Sequence, residues 1–312
     1  MTKKLISIVT ACFNEEENVL EIYERVKRVM SSLEAYTYEH IFIDNASSDK
    51  TVDILRQIAE RDRNVKVIVN TRNFGHIRSP QHALMQARGD AVISIVADLQ
   101  EPPEVIAGFI QKWEEGYKIV IGVKTDSEES ALFFAIRKLY YNIIGKLSEI
   151  NLIKNFTGFG LYDQGVIEIL RQIDDPYPYF RGLICDIGCE RAEIPYSQPV
   201  RRRGFTKNNF YTLYDMAMLG ITNHSKVPLR LATMTGFILA FLSLVMAFGY
   251  FVYKLIFWNS FNMGVAPLII GLFFFSSFQL FFIGIIGEYI GSIHTQVLKR
   301  PRVVEKERIN FD

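Results

Sequence analysis

The sequence predicts an α/β fold, a largely parallel sheet with helices on both faces, followed by a two-helix membrane hairpin. Two observations predict it. Short β-branched apolar runs alternate with helical patterns up to about residue 225. Beyond that point two long apolar stretches follow in tandem.

The strands are expected at Leu5–Ala11, His40–Asp44, Val65–Val69, Ala91–Ala97 and Ile119–Val123. Between them Glu17–Leu33 carries apolar residues at helical spacing. Ser48 and Asp49 are good N-caps for a helix over Thr51–Arg61. Pro103–Trp113 opens with proline in a first turn, where its missing N–H costs nothing. Strands alternating with helices give a parallel sheet buried on both faces. Ligands then sit beyond the carboxyl ends of the strands.

Leu231–Phe257 is 27 residues with one charge, Lys254, and Val265–Gly287 is 23 residues with none. About 20 apolar residues cross a bilayer, so both are long enough. Lys226 and Arg230 precede the pair, and Lys299, Arg300 and Arg302 follow it. Positive flanks at both ends place both termini, and the α/β part, in the cytoplasm. Tyr253 and Trp258 suit the far interface. Phe210, Leu213, Tyr214, Ala217, Met218 and Ile221 form one apolar helical stripe. This helix either packs on the α/β part or lies in the membrane interface. The expected division is 1–208 for the catalytic part, 209–228 for the juxtamembrane helix and linker, 229–291 for the hairpin with spans near 231–257 and 265–288, and 292–312 for a charged tail.

Hydrophobic residues make up 49% of the 312 residues and the net charge is +1, which gives no basis for nucleic-acid binding. Cys12, Cys185 and Cys189 are too few and too unevenly spaced for a disulfide framework, and read as free thiols in a reducing compartment. The short apolar run after Lys4 lacks a small-residue cleavage site and reads as a strand, not a leader.

Asp98 follows an apolar strand, in Ala97-Asp98-Leu99-Gln100-Glu101-Pro102-Pro103-Glu104. A carboxylate there either holds a hard divalent cation together with substrate phosphates or caps the helix at Pro103. The segment resembles the Asp-x-Asp-Leu-Gln-Asp-Pro-Pro-Glu stretch of family 2 glycosyltransferases, above all the polyprenyl-phosphate (bactoprenol) glucosyltransferases and dolichyl-phosphate-mannose synthases. Further family signatures run in order along the chain: the opening strand with Phe13-Asn14-Glu15, the turn Asp44-Asn45-Ala46-Ser47-Ser48-Asp49-Lys50-Thr51, Arg72-Asn73-Phe74-Gly75, Ala87-Arg88-Gly89-Asp90, and Arg201-x-x-Gly204-x-Thr206-Lys207 leading into the hairpin.

The resemblance implies the GT-A fold, a Rossmann-like nucleotide-binding sheet with a mixed edge. It also implies a nucleotide-sugar donor, Mg²⁺ or Mn²⁺ at Asp98, and a polyprenyl phosphate acceptor. Phe13, Asn14, Glu15, Asp44, Asp49, Arg72, Asp98 and Gln100 are the expected donor contacts, with Asp49 equally placed to act only as a helix cap. Arg201, Arg202, Arg203 and Lys207 form a basic cluster suited to the donor diphosphate, the lipid phosphate or anionic headgroups. Asp98, Arg201 and Lys207 are the expected catalytic residues. Relatives can be oligomeric, so a homo-oligomer through the charged tail is an open expectation.

Two positions depart from the family pattern. Val96 stands where an Asp usually precedes Asp98 by two, and Gly158 stands where many relatives carry a carboxylate proposed as base. A phosphate monoester has a second pKa of about 6 and is largely dianionic at pH 7, so such an acceptor needs no base. The resemblance thus implies transfer of a hexose, with UDP-glucose leading and GDP-mannose or a UDP-aminosugar behind it, to a polyprenyl phosphate with inversion at an inner or plasma membrane. The competing reading is a non-catalytic nucleotide-sugar-binding membrane protein, for which Val96 and Gly158 speak.

Overall fold

A computed structural model describes residues 3–125, 153, 155–173, 175–199, 210–257 and 265–311. Eight strands form one sheet in the order β7-β5-β6-β4-β1-β2-β3-β8. The strands β1 (Lys4–Cys12), β2 (Tyr36–Asp44), β3 (Val65–Asn70) and β4 (Ala91–Val96) are parallel. Ile6, Ser7, Ile8, Val9 and Thr10 of β1 are all buried, as a central strand covered on both faces requires. The helices α1 (Val19–Ser31), α2 (Thr51–Arg61), α3 (Gly75–Gln86) and α4 (Ile106–Glu114, after a 3₁₀ turn at Pro103–Val105) connect and cover these strands. The mixed edge implied by the family resemblance is present. β6 (Phe156–Asp163) runs antiparallel between β4 and β5 (Ile119–Lys124), and β5 pairs in parallel with β7 (Arg191–Tyr196). Two short helices, α5 (Gln164–Gln172) and α6 (Phe180–Asp186), lie between β6 and β7.

The Ala87-Arg88-Gly89-Asp90 motif has a structural cause. The Asp90 carboxylate accepts the Leu5 N–H at 2.7 Å, and Gly89 N–H donates to Ser7 Oγ at 2.9 Å. A Cβ on Gly89 would stand 2.7 Å from Ser7 N and 2.8 Å from the Leu5 carbonyl oxygen. Both neighbours are tied into β1, so Gly89→Ala is expected to cost about 1–3 kcal/mol, the range for overpacking. A lowered thermal midpoint of the purified variant checks this.

The helix α7 (Phe210–His224) precedes two long helices, α8 (Val227–Ile256) and α9 (Val265–Val297). Both long helices are apolar and long enough to cross a membrane, and their apolar side chains, among them Phe237, Leu244, Phe273 and Leu280, face outward. A buried pair of core helices would show the opposite. The sequence left open what α7 packs against; it packs along the far part of α9. Tyr214 Oη donates to Glu288 at 3.1 Å, and Ser292 Oγ donates to Asn223 Oδ1 at 3.1 Å. Tyr289 Oη donates to the Ser225 carbonyl at 2.6 Å.

The charged end of the chain returns to the sheet. β8 (Glu305–Ile309) pairs antiparallel with β3. Arg56 holds Glu307 at 2.7 Å, and Asn310 Nδ2 donates to the Ala59 and Val65 carbonyls at 2.8 Å each. Arg302 donates to the Asp175 and Ile173 carbonyls at 3.1 and 3.2 Å. The end of α9 is thereby fixed to the α/β body.

Candidate active site

The carboxyl ends of β1, β2, β3 and β4 meet at one rim of the sheet, and the first three turns are laced together. Asn14, in the left-handed region at φ 54°, follows β1. Its N–H donates to Ser47 Oγ at 2.8 Å, and its Oδ1 accepts the Ser48 N–H at 2.8 Å. Ser47 in turn donates both N–H (2.9 Å) and hydroxyl to Asp44. Phe13, Asn14 and Glu15 are half-buried on this rim. Glu15 N–H donates to Thr51 Oγ1 at 2.9 Å, and the Glu15 carboxylate accepts from Asn18 Nδ2 at 2.6 Å.

Asp44 is fully buried. Burial raises its pKa, and the Ser47 hydrogen bonds only partly oppose that rise. Its oxygens serve the Asp44–Ser47 turn, so they shape the rim that a donor would meet. The N-cap of α2 is Lys50, not Ser48 or Asp49, but the Asp49 carboxylate still reaches the start of the helix. It accepts from Thr51 N–H at 3.0 Å, Thr51 Oγ1 at 2.5 Å and Glu16 N–H at 3.2 Å. Burial raises its pKa, but these bonds outweigh that and hold it below the usual carboxylate range.

Asn45 ties β2 to the turn after β3. Its Oδ1 accepts from Asn70 Nδ2 at 3.1 Å and from Phe74 N–H at 2.9 Å, and its Nδ2 donates to Asn73 Oδ1 at 2.9 Å. Asn45 was not singled out as a site residue; its signal is the Asn-Asn-Phe-Gly company it keeps, visible only once β2 and β3 are neighbours. Arg72 stacks on the Phe74 ring at 4.0 Å and lines a cavity on the side facing the end of α9.

Asp98 sits half-buried just past β4, in a turn where Leu99 takes φ 60°. One carboxylate oxygen accepts the Gln100 N–H at 3.2 Å; the other has no protein partner among the described residues. No cluster of three or more His, Cys, Asp or Glu side chains exists among the described residues. Any cation would rest on Asp98, substrate phosphates and water, a ligand set that suits Mg²⁺ or Mn²⁺ bound with a substrate. Val96 takes no part in that, being apolar and 38% exposed.

Glu101 is 4% exposed and joins β4 to β6. It accepts the Val96 N–H at 3.0 Å and the Thr157 hydroxyl at 2.7 Å. Burial pushes its pKa up to about 7 against those two hydrogen bonds. The folded protein thus keeps a proton on Glu101 to about pH 7, while the unfolded chain releases it near 4.5. The stability this proton contributes is complete below the lower value and is lost as pH rises through the upper one. The full swing is about 3 kcal/mol. Glu101→Gln keeps an acceptor for Val96 and a partner for Thr157, so the variant is expected to lose this slope. Thermal midpoints of both proteins at pH 5 and pH 8 check it.

Glu101 also borders a cavity of about 150 Å³ that includes Gln81, Val96, Gly158 and Arg181. Gln81 is 3% exposed and its Oε1 has no hydrogen-bond partner. Gly158 has φ 108°, a conformation that side chains rarely adopt. A side chain at this position would be strained by the backbone shape. Arg201, Arg202, Arg203 and Lys207 lie outside the described residues, as do Gly204, Thr206 and Trp258.

The Rossmann-like sheet with its mixed edge has the form of the GT-A fold. The chain belongs to glycosyl transferase family 2, whose family model matches residues 7–169. It is 33% identical over 303 residues to the SfII prophage-derived bactoprenol glucosyl transferase of Shigella flexneri, covering 97% of each chain. It is also 33% identical over 297 residues to the uncharacterized glycosyltransferase sll0501 of Synechocystis, covering 95% of this chain and 93% of that one. The uncharacterized glycosyltransferase YkcC of Bacillus subtilis is 33% identical over 307 residues, covering 98% and 94%.

Proposed function

We propose that this glycosyltransferase moves a hexose, with glucose from UDP-glucose as the leading donor, onto a polyprenyl phosphate at the cytoplasmic face of a membrane, with inversion. The observation that carries this reading is the likeness to a bactoprenol glucosyl transferase over 97% of both chains, apolar helices included. The basic residues Lys226 and Arg230 before α8, and Lys299, Arg300 and Arg302 after α9, support a cytoplasmic catalytic part.

In this reading the rim from Phe13 to Asp49 receives the nucleoside, and Asp98 faces the diphosphate. Asp98 would hold Mg²⁺ or Mn²⁺, which would supply positive charge to the departing diphosphate. Arg201 and Lys207 add donors on the same leaving group. Gln81 and Arg181 offer polar partners to hydroxyls of the hexose. An oxygen of the lipid phosphate attacks the anomeric carbon and forms the new C–O bond. The bond from that carbon to the β-phosphate oxygen breaks, and the nucleoside diphosphate leaves with the electron pair. The acceptor oxygen carries no proton to remove, which makes Gly158 compatible with turnover.

Val96 and Gly158 favour one other reading, a non-catalytic nucleotide-sugar-binding membrane protein. A radiolabelled donor screen separates the two. UDP-glucose, GDP-mannose and a UDP-aminosugar are each given with polyprenyl phosphate and Mg²⁺ or Mn²⁺. Label that partitions into the organic phase supports transfer; nucleotide binding without lipid-linked label supports the other reading.

A further inference from the structure

A cavity of about 460 Å³ lies where the turn after β3 meets the end of α9. Thr71, Arg72 and Arg78 line it from the α/β body, and His294, Thr295 and Arg300 line it from the last turn of α9 and just beyond. No Asp or Glu lines it. Asp98 and Asp44 lie outside it. Among the described residues none of its three guanidinium groups is in an ion pair. Arg72 donates only to the Asn73 carbonyl, at 3.1 Å, and stacks on Phe74. Arg78 stacks on Tyr177 at 5.1 Å, and its buried Nε has no hydrogen-bond partner. Asp215, whose carboxylate accepts from Tyr177 Oη at 3.1 Å, makes no ion pair with Arg78.

Three unpaired guanidinium groups around one cavity repel each other until an anion enters. Guanidinium forks match phosphate oxygens in shape and charge. The position of the cavity narrows the anion further. A helix of 33 residues is about 50 Å long. A bilayer with its headgroups measures about 40–45 Å. An α9 that starts in the far headgroup layer therefore brings His294 to the near one. Ile290, Ile293 and Val297 keep an exposed apolar face up to that level.

We propose that this cavity binds the phosphomonoester headgroup of a membrane lipid, apart from the nucleoside rim and Asp98, with Arg72 serving this headgroup instead of the donor. The inference rests on the reading of α8 and α9 as membrane spans, and the cavity is a second lipid-phosphate position, apart from the one from which the acceptor oxygen attacks the anomeric carbon. Phosphate could also come from a free nucleotide, and the test distinguishes the two sources.

The full chain is titrated in neutral-detergent micelles with phosphatidic acid, and separately with phosphatidylcholine, UDP and inorganic pyrophosphate, reading the thermal midpoint. Phosphatidic acid is expected to bind and phosphatidylcholine not. Arg78→Gln and Arg300→Gln are each expected to weaken phosphatidic acid binding at least tenfold. Lys306→Gln, which removes a charge from exposed β8, is expected to leave it within twofold. Arg300 is exposed, so its variant carries the test even where Arg78→Gln fails to fold. Wild-type affinity in Arg300→Gln overturns the proposal. So does complete displacement of phosphatidic acid by UDP or pyrophosphate, which would make the cavity part of the donor site. The titration needs no turnover: absence of transfer with every donor sinks the proposed function and leaves the cavity standing, while transfer without this titration response sinks only the cavity.

Discussion

Asp98→Ala is expected to lower sugar transfer by at least about 10²-fold while leaving the thermal midpoint almost unchanged. The two halves of this result have separate causes. In the folded protein Asp98 makes one local hydrogen bond, to Gln100 N–H at 3.2 Å, and is half-buried. Losing a bond of that kind costs about 1 kcal/mol or less. In the proposed mechanism, the same carboxylate organises the charge that meets the leaving diphosphate. Removing one such preorganised group typically costs about 10²–10³ in kcat. Val96 sharpens the effect, because no second carboxylate stands two residues upstream to take over. Transfer assays at saturating donor, run beside thermal unfolding of the same preparations, check both halves. Near-wild-type transfer in Asp98→Ala would remove Asp98 from the mechanism.

The strands that carry the rim were legible because a buried parallel strand is a short continuous apolar run, and β1, β3 and β4 are written that way. The residues just past them were legible because ligands collect at carboxyl ends. What stayed hidden has physical reasons. β6 contains Gly158 and Gly160, which read as loop; Gly160 is there because a Cβ would stand 2.5 Å from the Val120 carbonyl oxygen of the neighbouring strand. β8 reads as a charged tail because it is an edge strand whose Glu307 is matched by Arg56, a partner 251 residues away. α3 begins at Gly75 and carries Pro80 inside, two signals that normally end helices. The role of Glu101 is hidden because nothing in its spacing shows that Thr157 lies beside it. Arg78 and Arg300 share a cavity only because α9 and the Arg302 contacts bring the chain end back to the sheet.

Asp44→Ala is expected to behave differently from Asp98→Ala, losing donor affinity and stability together. Asp44 is fully buried and accepts both the N–H and the hydroxyl of Ser47. Ser47 Oγ also accepts the Asn14 N–H at 2.8 Å, so one carboxylate sets the positions of the β1 and β2 turns. Alanine leaves two Ser47 donors without their acceptor. A fully buried unsatisfied donor costs about 1–3 kcal/mol, and half-buried Ser47 falls toward the lower end of that range. Part of this is returned, because burial already disfavours the charged form of Asp44. A net loss of about 2 kcal/mol is the expected balance. Ala46, held at φ 62° within this turn, is then free to relax, and the rim proposed to receive the nucleoside loses its shape. Donor affinity is expected to fall at least about tenfold, the cost of losing a pre-set geometry being paid at binding. Asp44→Asn keeps the volume and one acceptor and should fall between the two. Donor titration by thermal shift, with kcat measured at saturating donor, separates this pattern from that of Asp98: KM rises in the Asp44 variants with kcat largely kept. Unchanged donor affinity in Asp44→Ala would mean that the turn it holds does not face the nucleotide.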